Sequence, residues 1–171
     1  ISRIDTEPRP PVWSDMSVVG IIGTAPEADA TVIPADTPVF LYSDDATKLT
    51  ALGAPGTLRD AVRLINAQLG DFQVAAKVVI VRVEEGIDTD ATLANIVGDG
   101  VSTGLQAFIA AGPELGIIPR LICAPGFTSQ RSVGEANPVC AALPAICEKL
   151  FAHAIVDVPA PTGQDAIDWR E

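Results

Sequence analysis

Five short runs of apolar residues predict the strands of the molecule. They lie at residues 17–23 (SVVGIIG), 38–42 (PVFLY), 75–83 (AAKVVIVRV), 121–124 (LICA) and 154–158 (AIVDV). The run at 75–83 is rich in β-branched residues and almost continuous, which is typical of a strand with helices on both faces. Proline, glycine and polar residues separate the runs, so we expect each run to form its own strand.

Apolar residues at helical spacing predict two helices in the first half of the chain. One stripe begins at Leu58 and continues at positions 61, 62, 65 and 69, and its helix should end at Gly70. Thr57 is expected to cap this helix through its hydroxyl. A shorter helix is expected to begin at Asp44, whose carboxylate can accept from unpaired backbone N–H groups.

The second half of the chain predicts three more helices. Two short ones should flank the 98–100 turn, and Asp88 and Asp90 are expected to cap the first of them. A longer helix should begin at Asn137, with proline in its first turn. Pro144 lies inside that helix and should interrupt and kink it, because proline has no N–H to donate.

The alternation of these elements predicts an α/β fold, in which helices cover a sheet with parallel strand pairs. Residues 1–16 contain three prolines, three acids and two arginines, a composition that favours an extended arm. We therefore expect an arm at 1–16 and one α/β core at 17–159. Residues 160–171 resemble the start of a helix that stops in mid-pattern, so we expect the chain to be a piece of a longer polypeptide.

Composition excludes several classes of partner. The chain has 171 residues, of which 48% are hydrophobic, and 22 acids against 11 bases give a net charge of −11. Phosphate backbones and anionic lipid repel so acidic a protein, so we expect neither nucleic acid nor membrane as a partner. No apolar run approaches the roughly 18 residues that a membrane-spanning helix needs.

Residues 100–104 match the G-x-S-x-G pattern of serine hydrolases. Ser102 would be the nucleophile and His153, the only histidine, the base, with Glu135 between them in the chain. A nucleophile elbow needs its serine on a tight turn between a strand and a helix, and the residues before Ser102 are too few for a strand. A small hydrolase is therefore an alternative function that the pattern supports only weakly.

Three acids follow predicted strands and suggest a second alternative. Glu84, Glu85 and Asp157 lie at carboxyl ends of strands, where open α/β sheets place ligands, and together they could hold Mg²⁺ for a phosphotransferase. We prefer the simpler interpretation that these acids form turns and keep the rim soluble. No catalytic base or phosphate-binding loop accompanies them.

Cysteines and paired arginines complete the candidate residues. Cys140 and Cys147 are two helical turns apart, about 10 Å, which is too far for a disulfide between them. With Cys123 they are expected to be small buried hydrophobes. Arg59 and Arg63 are expected on the outward face of one helix. They form either a basic stripe that meets an acidic patch on a neighbour or a merely soluble surface.

A series of motifs in fixed order resembles the tail sheath proteins of contractile bacteriophage tails and related injection devices. The motifs lie at residues 18–26 (VVGIIGTAP), 36–39 (DTPV), 52–53 (LG), 56–58 (GTL), 78–83 (VVIVRV), 119–127 (PRLICAPGF) and 154–159 (AIVDVP). The order is more specific than any single motif. Pro144 departs from the family's pattern and puts the shape of its helix in question.

The resemblance implies a structural protein of the virion, without catalytic, cofactor or metal site. Sheath subunits stack helically around a tail tube, and their terminal arms add strands to the sheets of neighbours. Contraction by rigid-body rearrangement would drive the tube into the host cell. The implied partners are other copies of the chain, the tail tube protein, and the baseplate and tail terminator proteins, with assembly in the host cytoplasm. The family's C-terminal domain would follow Glu171.

Overall fold

The structure is a computed structural model that describes residues 17–70, 74–130 and 136–157. Within these ranges the strands are β1 (Val18–Thr24), β2 (Pro38–Tyr42), β3 (Lys77–Val83), β4 (Leu121–Cys123) and β5 (His153–Ile155). The helices are α1 (Ala46–Ala51), α2 (Leu58–Gln68), α3 (Thr89–Val97), α4 (Ala107–Leu115) and α5 (Pro138–Leu150). A 3-10 turn at Gly104–Gln106 leads into α4. The α/β prediction is confirmed. The predicted arm and the predicted terminal helix lie outside the described residues.

One sheet, in the order β2-β3-β1-β4-β5, forms the centre of the molecule. The pairs β1–β3, β1–β4 and β4–β5 are parallel, whereas β2 is antiparallel to β3. Parallel neighbours need a crossover, and the helices provide it. β2 has the predicted bounds, whereas β5 begins one residue earlier than predicted and ends at Ile155, three residues before its predicted end.

Helices cover both faces of the sheet and divide the core in two. One core packs α3, α4 and α5 against alternate strand residues such as Ile22 and Val79. The other packs α1 and α2 against the intervening ones, such as Ile21 and Ile80. Side chains alternate between faces along a strand, so β3 is buried continuously from Val78 to its end. This continuous burial confirms the prediction made from its apolar run.

The caps of the first two helices differ from the prediction. Asp45, not Asp44, caps α1, and its carboxylate accepts from the N–H groups of Thr47 and Lys48 at 3.1 Å each. Asp44 is exposed. Thr57 precedes α2 but makes no capping hydrogen bond from its side chain, because its hydroxyl accepts elsewhere.

The remaining helix predictions are confirmed except at one proline and at Asp90, which lies in the first turn of α3 and is not its cap. Asp88 caps α3 by accepting from Ala91 N–H at 2.7 Å, and Asn137 caps α5 by accepting from Cys140 N–H at 2.9 Å. The prediction that Pro144 interrupts α5 is wrong, since the helix runs through it. The proline is exposed, so its ring avoids the core, and buried residues on both sides of it hold the two halves to the sheet: Val139, Leu143, Ile146 and Leu150.

Two of the sequence motifs meet in one contact between β1 and the start of α2. Thr57 N–H donates to Thr24 O at 2.9 Å, and Thr24 N–H donates to Thr57 Oγ1 at 3.2 Å. A Cβ on Gly23 would lie 2.3 Å from that hydroxyl oxygen. Gly56 has φ +99°, and a Cβ there would lie 2.3 Å from Thr24 O. Glycine is therefore required on both sides of the contact.

Replacing Thr57 by valine should destabilise the protein by about 1–3 kcal/mol, because it leaves the buried Thr24 N–H without its acceptor. Urea unfolding measures the change. Thr47→Val is the control, because Thr47 is exposed and should change stability by less than about 0.5 kcal/mol. Equal losses in the two variants would mean that the hydroxyl contact contributes nothing specific.

Candidate functional site

The two residues of the hydrolase hypothesis lie at opposite ends of the parallel strands. Ser102 is in the loop before Gly104, whose N–H donates to Asp36 Oδ1 at 2.8 Å. Asp36 N–H in turn donates to Arg82 O, which places this loop beside the carboxyl end of β3. His153 begins β5, so it lies at the amino ends of the parallel strands. A seven-residue strand is about 23 Å long, so the serine and the imidazole do not meet.

The Ser102 loop has its own structural explanation. It follows helix α3, whereas a nucleophile elbow follows a strand. Asp99 Oδ1 accepts from three successive backbone N–H groups, those of Val101, Ser102 and Thr103, at 2.8–3.0 Å. These bonds hold the pKa of Asp99 well below its usual range. The serine is part of an aspartate-centred turn, and Glu135, the intervening acid, lies outside the described residues.

The structure does not bring together the three acids of the magnesium hypothesis. Glu84 pairs with Arg82 at 2.9 Å, and Glu85 is exposed. Asp157 accepts from Gly126 N–H at 3.2 Å and stands beyond β5. Two strands separate β3 from β5, which puts about 14 Å between the sites. Within 17–70, 74–130 and 136–157, no three His, Cys, Asp or Glu residues are grouped to hold a metal ion.

Only one of the two paired arginines has the predicted outward position. Arg63 is exposed, but Arg59 is half-buried, and its Nη1 donates to Gly53 O at 3.1 Å. That bond joins α2 to the loop after α1. The two-residue basic stripe is therefore wrong for Arg59, because the guanidinium serves an intramolecular contact.

The three cysteines are free thiols and are half-buried, so the prediction of buried hydrophobes is right only in part. Cys123 Sγ lies 3.6 Å from Gly20 O, and Cys140 Sγ lies 3.4 Å from Thr128 O. Burial, and secondarily the negative charge of Asp157, raises the pKa of Cys123 to about 11. Burial likewise raises the pKa of Cys140 and Cys147, so neutral thiols predominate near pH 7.

A groove that the sequence did not reveal lies at the amino edge of the sheet. This amino-edge groove has a volume of about 400 Å³ and is lined by Val18, Phe40, Tyr42, Lys77, Gly116, Ile117, Ile118 and Arg120. The rings of Phe40 and Tyr42 meet edge to face, with centroids 5.0 Å apart. Tyr42 is 48% exposed. Four separate segments build the groove, and only the alternation of aromatics in β2 could have hinted at it.

A second exposed apolar surface, the β5 rim, consists of residues 151–155. All three residues of β5 are exposed, and Phe151 and Ile155 keep 82% and 54% of their surface in solvent. β5 pairs with β4 along one side, and no described strand pairs with its other side. Exposed apolar edges of this kind mark contact surfaces or aggregation sites.

Comparison with known proteins identifies relatives of one kind. The chain is 31% identical to the tail sheath protein of Escherichia phage P2 over 150 residues, 82% of this chain and 35% of that protein. It is 30% identical to the major tail sheath protein of Serratia phage KSP20, over 92% of this chain and 39% of that protein. A prophage major tail sheath protein of Pseudomonas aeruginosa is 30% identical over the whole chain. No family model matches the chain.

The chain belongs to the phage tail sheath family. It spans between 35% and 42% of the length of the curated relatives it matches. The family resemblance found in the order of motifs is thus confirmed, as is the structural, bacteriophage character that it implied. No helix among the described residues is long and apolar enough to cross a membrane.

Alkylation of Cys123 by iodoacetamide should be slow at pH 8 and should rise about tenfold per pH unit until pH approaches 11, because only the thiolate reacts. Asp157→Asn removes a nearby negative charge, so it should lower the pKa and increase the rate at pH 8. Asp60→Asn, in α2, is the control. Peptide mass spectrometry measures each site. A rate profile that levels off near pH 8.5 would contradict the assignment.

Proposed function

We propose that the chain is part of a sheath subunit that polymerises helically around a tail tube and contracts to drive the tube into the host cell. The observation that carries the proposal is the match to tail sheath proteins over 82–100% of the chain. The sheath role accounts for the exposed apolar residues of the amino-edge groove and of the β5 rim. The hydrolase and phosphotransferase alternatives have no assembled site among the described residues to support them.

A rigid core supports the contraction mechanism. Every β3 residue from Val78 to Val83 is buried, and helices pack on both faces of the sheet. Close-packed interiors are not continuously deformable, so a change of assembly must occur at contacts between subunits. Residues 17–159 therefore move as one body, and the extended sheath stores its energy in contacts between copies.

Phe151 supports a contact through the β5 rim. It ends α5 in the left-handed conformation, with φ 51° and ψ 46°, which is costly for a bulky side chain. Glycine or asparagine would occupy this position at lower cost. The ring packs little against the described residues, since 82% of its surface is exposed. A residue that is both strained and exposed is explained if it contacts another surface in the assembled sheath.

The remaining parts of the proposal concern partners and place. The arm at 1–16 reaches a neighbouring copy. The assembled sheath contacts the tail tube protein, the baseplate and the tail terminator. Assembly takes place in the host cytoplasm, and the product is a component of the virion. The sheath names of the relatives support self-assembly into a tail structure, and the named partners and the place of assembly are further parts of the proposal.

Electron microscopy of the full-length polypeptide should show hollow striated cylinders. Phe151→Asn should shorten them or reduce their number, while raising the stability of the fold by a few tenths of a kcal/mol, because asparagine tolerates the left-handed conformation. Val101→Asn, at an exposed position far from β5, should leave assembly unchanged. Monodisperse particles from the unmodified polypeptide would contradict the sheath role, and normal cylinders from Phe151→Asn would exclude the β5 rim.

Extended and contracted cylinders should share one core structure. Backbone atoms of the described residues within 17–157 are expected to superpose within about 1 Å between the two states, as in other rigid-body interfaces. Image reconstruction of both states measures this. A sheet with altered strand order or helices with altered register in the contracted state would refute the rigid-body mechanism.

A further inference from the structure

We propose that the amino-edge groove seats the segment that directly precedes β1, with the Trp13 indole bound in the groove of its own chain. The proposal does not depend on polymerisation, because it concerns a contact within one copy. It rests on the groove's surface, on where the chain enters β1, and on the composition of the segment.

The groove presents apolar surface that the described residues leave uncovered. Tyr42 is 48% and Ile118 39% exposed, and they line the same groove from different segments. Phe40 stacks edge to face against Tyr42 and extends the aromatic wall. Aromatic-lined grooves are the usual receptors of proline-rich segments, whose backbone is already extended and loses little entropy on binding.

Chain connectivity keeps Trp13 near the amino-edge groove. Val18 begins β1 and itself lines the groove, so the preceding residues enter the fold there. Five residues span at most about 17 Å, which keeps the Trp13 backbone within that distance of Val18. A tether so short gives an effective concentration in the millimolar range, so even a weak contact is populated within one chain.

The residue types of segment 10–16 suit the apolar surface and the charge of the groove. Residues 10–16 are PPVWSDM, which combine two prolines, one tryptophan and Asp15. Arg120 lines the groove and gives it positive charge, whereas the protein as a whole carries −11. Arg120 Nη1 donates to the Leu150 and Phe151 carbonyls, which fixes the guanidinium at the groove wall. Asp15 thus approaches a locally basic surface on a protein that repels acids elsewhere.

Seating this segment would set the direction of the arm. The residues before Trp13 would leave from a fixed point on the amino edge, with a reach of about 40 Å if fully extended. An arm that starts from a fixed point loses less freedom when it binds a partner than one that pivots at Val18.

Tyr42, the only tyrosine in the chain, provides a direct test. In protein labelled with 3-fluorotyrosine, the single ¹⁹F resonance should shift when Trp13→Ala removes the indole. Trp169→Ala is the matched control, since it removes the other tryptophan and should leave the resonance in place. An unchanged resonance in Trp13→Ala overturns the proposal.

Fluorescence gives the reciprocal measurement in the Trp169→Phe background, where Trp13 is the only tryptophan. Acrylamide should quench it several-fold less than a free indole, and Ile118→Asp or Tyr42→Ser should abolish that protection. Leu64→Asp, exposed on α2, should not. Cooperative thermal unfolding verifies that each variant is folded. Quenching as strong as for free indole overturns the proposal, and so does protection that is lost on dilution, because a second copy would then fill the groove.

Discussion

The parallel pairing of β1 with β3 and β4 is the constraint on which the rest of the structure depends. Seven consecutive residue pairs join β1 to β3, and each face of β1 must admit a neighbour at close range. On one face Gly20 allows the Phe108 ring to approach the backbone of β1, since a Cβ on Gly20 would lie 3.0 Å from that ring. On the other face Gly23 makes room for the Thr57 hydroxyl. The missing side chains thus set how closely helices pack on both faces.

A core fixed in this way leaves the surface of the molecule to make contacts, and two apolar surfaces lie at its margins. The β5 rim lies at one side of the sheet, and the amino-edge groove lies across the starts of β1 and β3. Both expose aromatic or aliphatic surface, whereas the carboxyl edge is lined by Asp36, Glu84 and Asp99, whose carboxylates bind the protein's own N–H and guanidinium groups. The two apolar surfaces thus differ from this polar surface, whose carboxylates are already paired within the protein.

Local patterns predicted the elements well, and distant contacts explain the failures. The strands and most helices follow from apolar runs and caps that lie within a few residues, so β2 and the Asn137 cap were predicted correctly. The Thr57 hydroxyl was assigned to its own helix, but its partner lies 33 residues away. The loop at Gly104 is held by a residue 68 positions earlier, which no local pattern reveals. The amino-edge groove was missed for the same reason, since four separate segments form it.

The same reasoning explains why the order of motifs identified the family while the single G-x-S-x-G match carried little weight. The GTAP and GTL motifs are two halves of one packing contact, so a change in one motif destabilises the contact with the other. A motif whose residues pack against a second motif therefore limits which residues the second motif can contain. Ser102 has no catalytic partner, because its N–H and those of its neighbours bind Asp99, and Asp36 holds the loop at Gly104. A catalytic motif indicates an activity only when the fold brings the other catalytic residues to it. Here His153 lies at the amino ends of the parallel strands, away from Ser102.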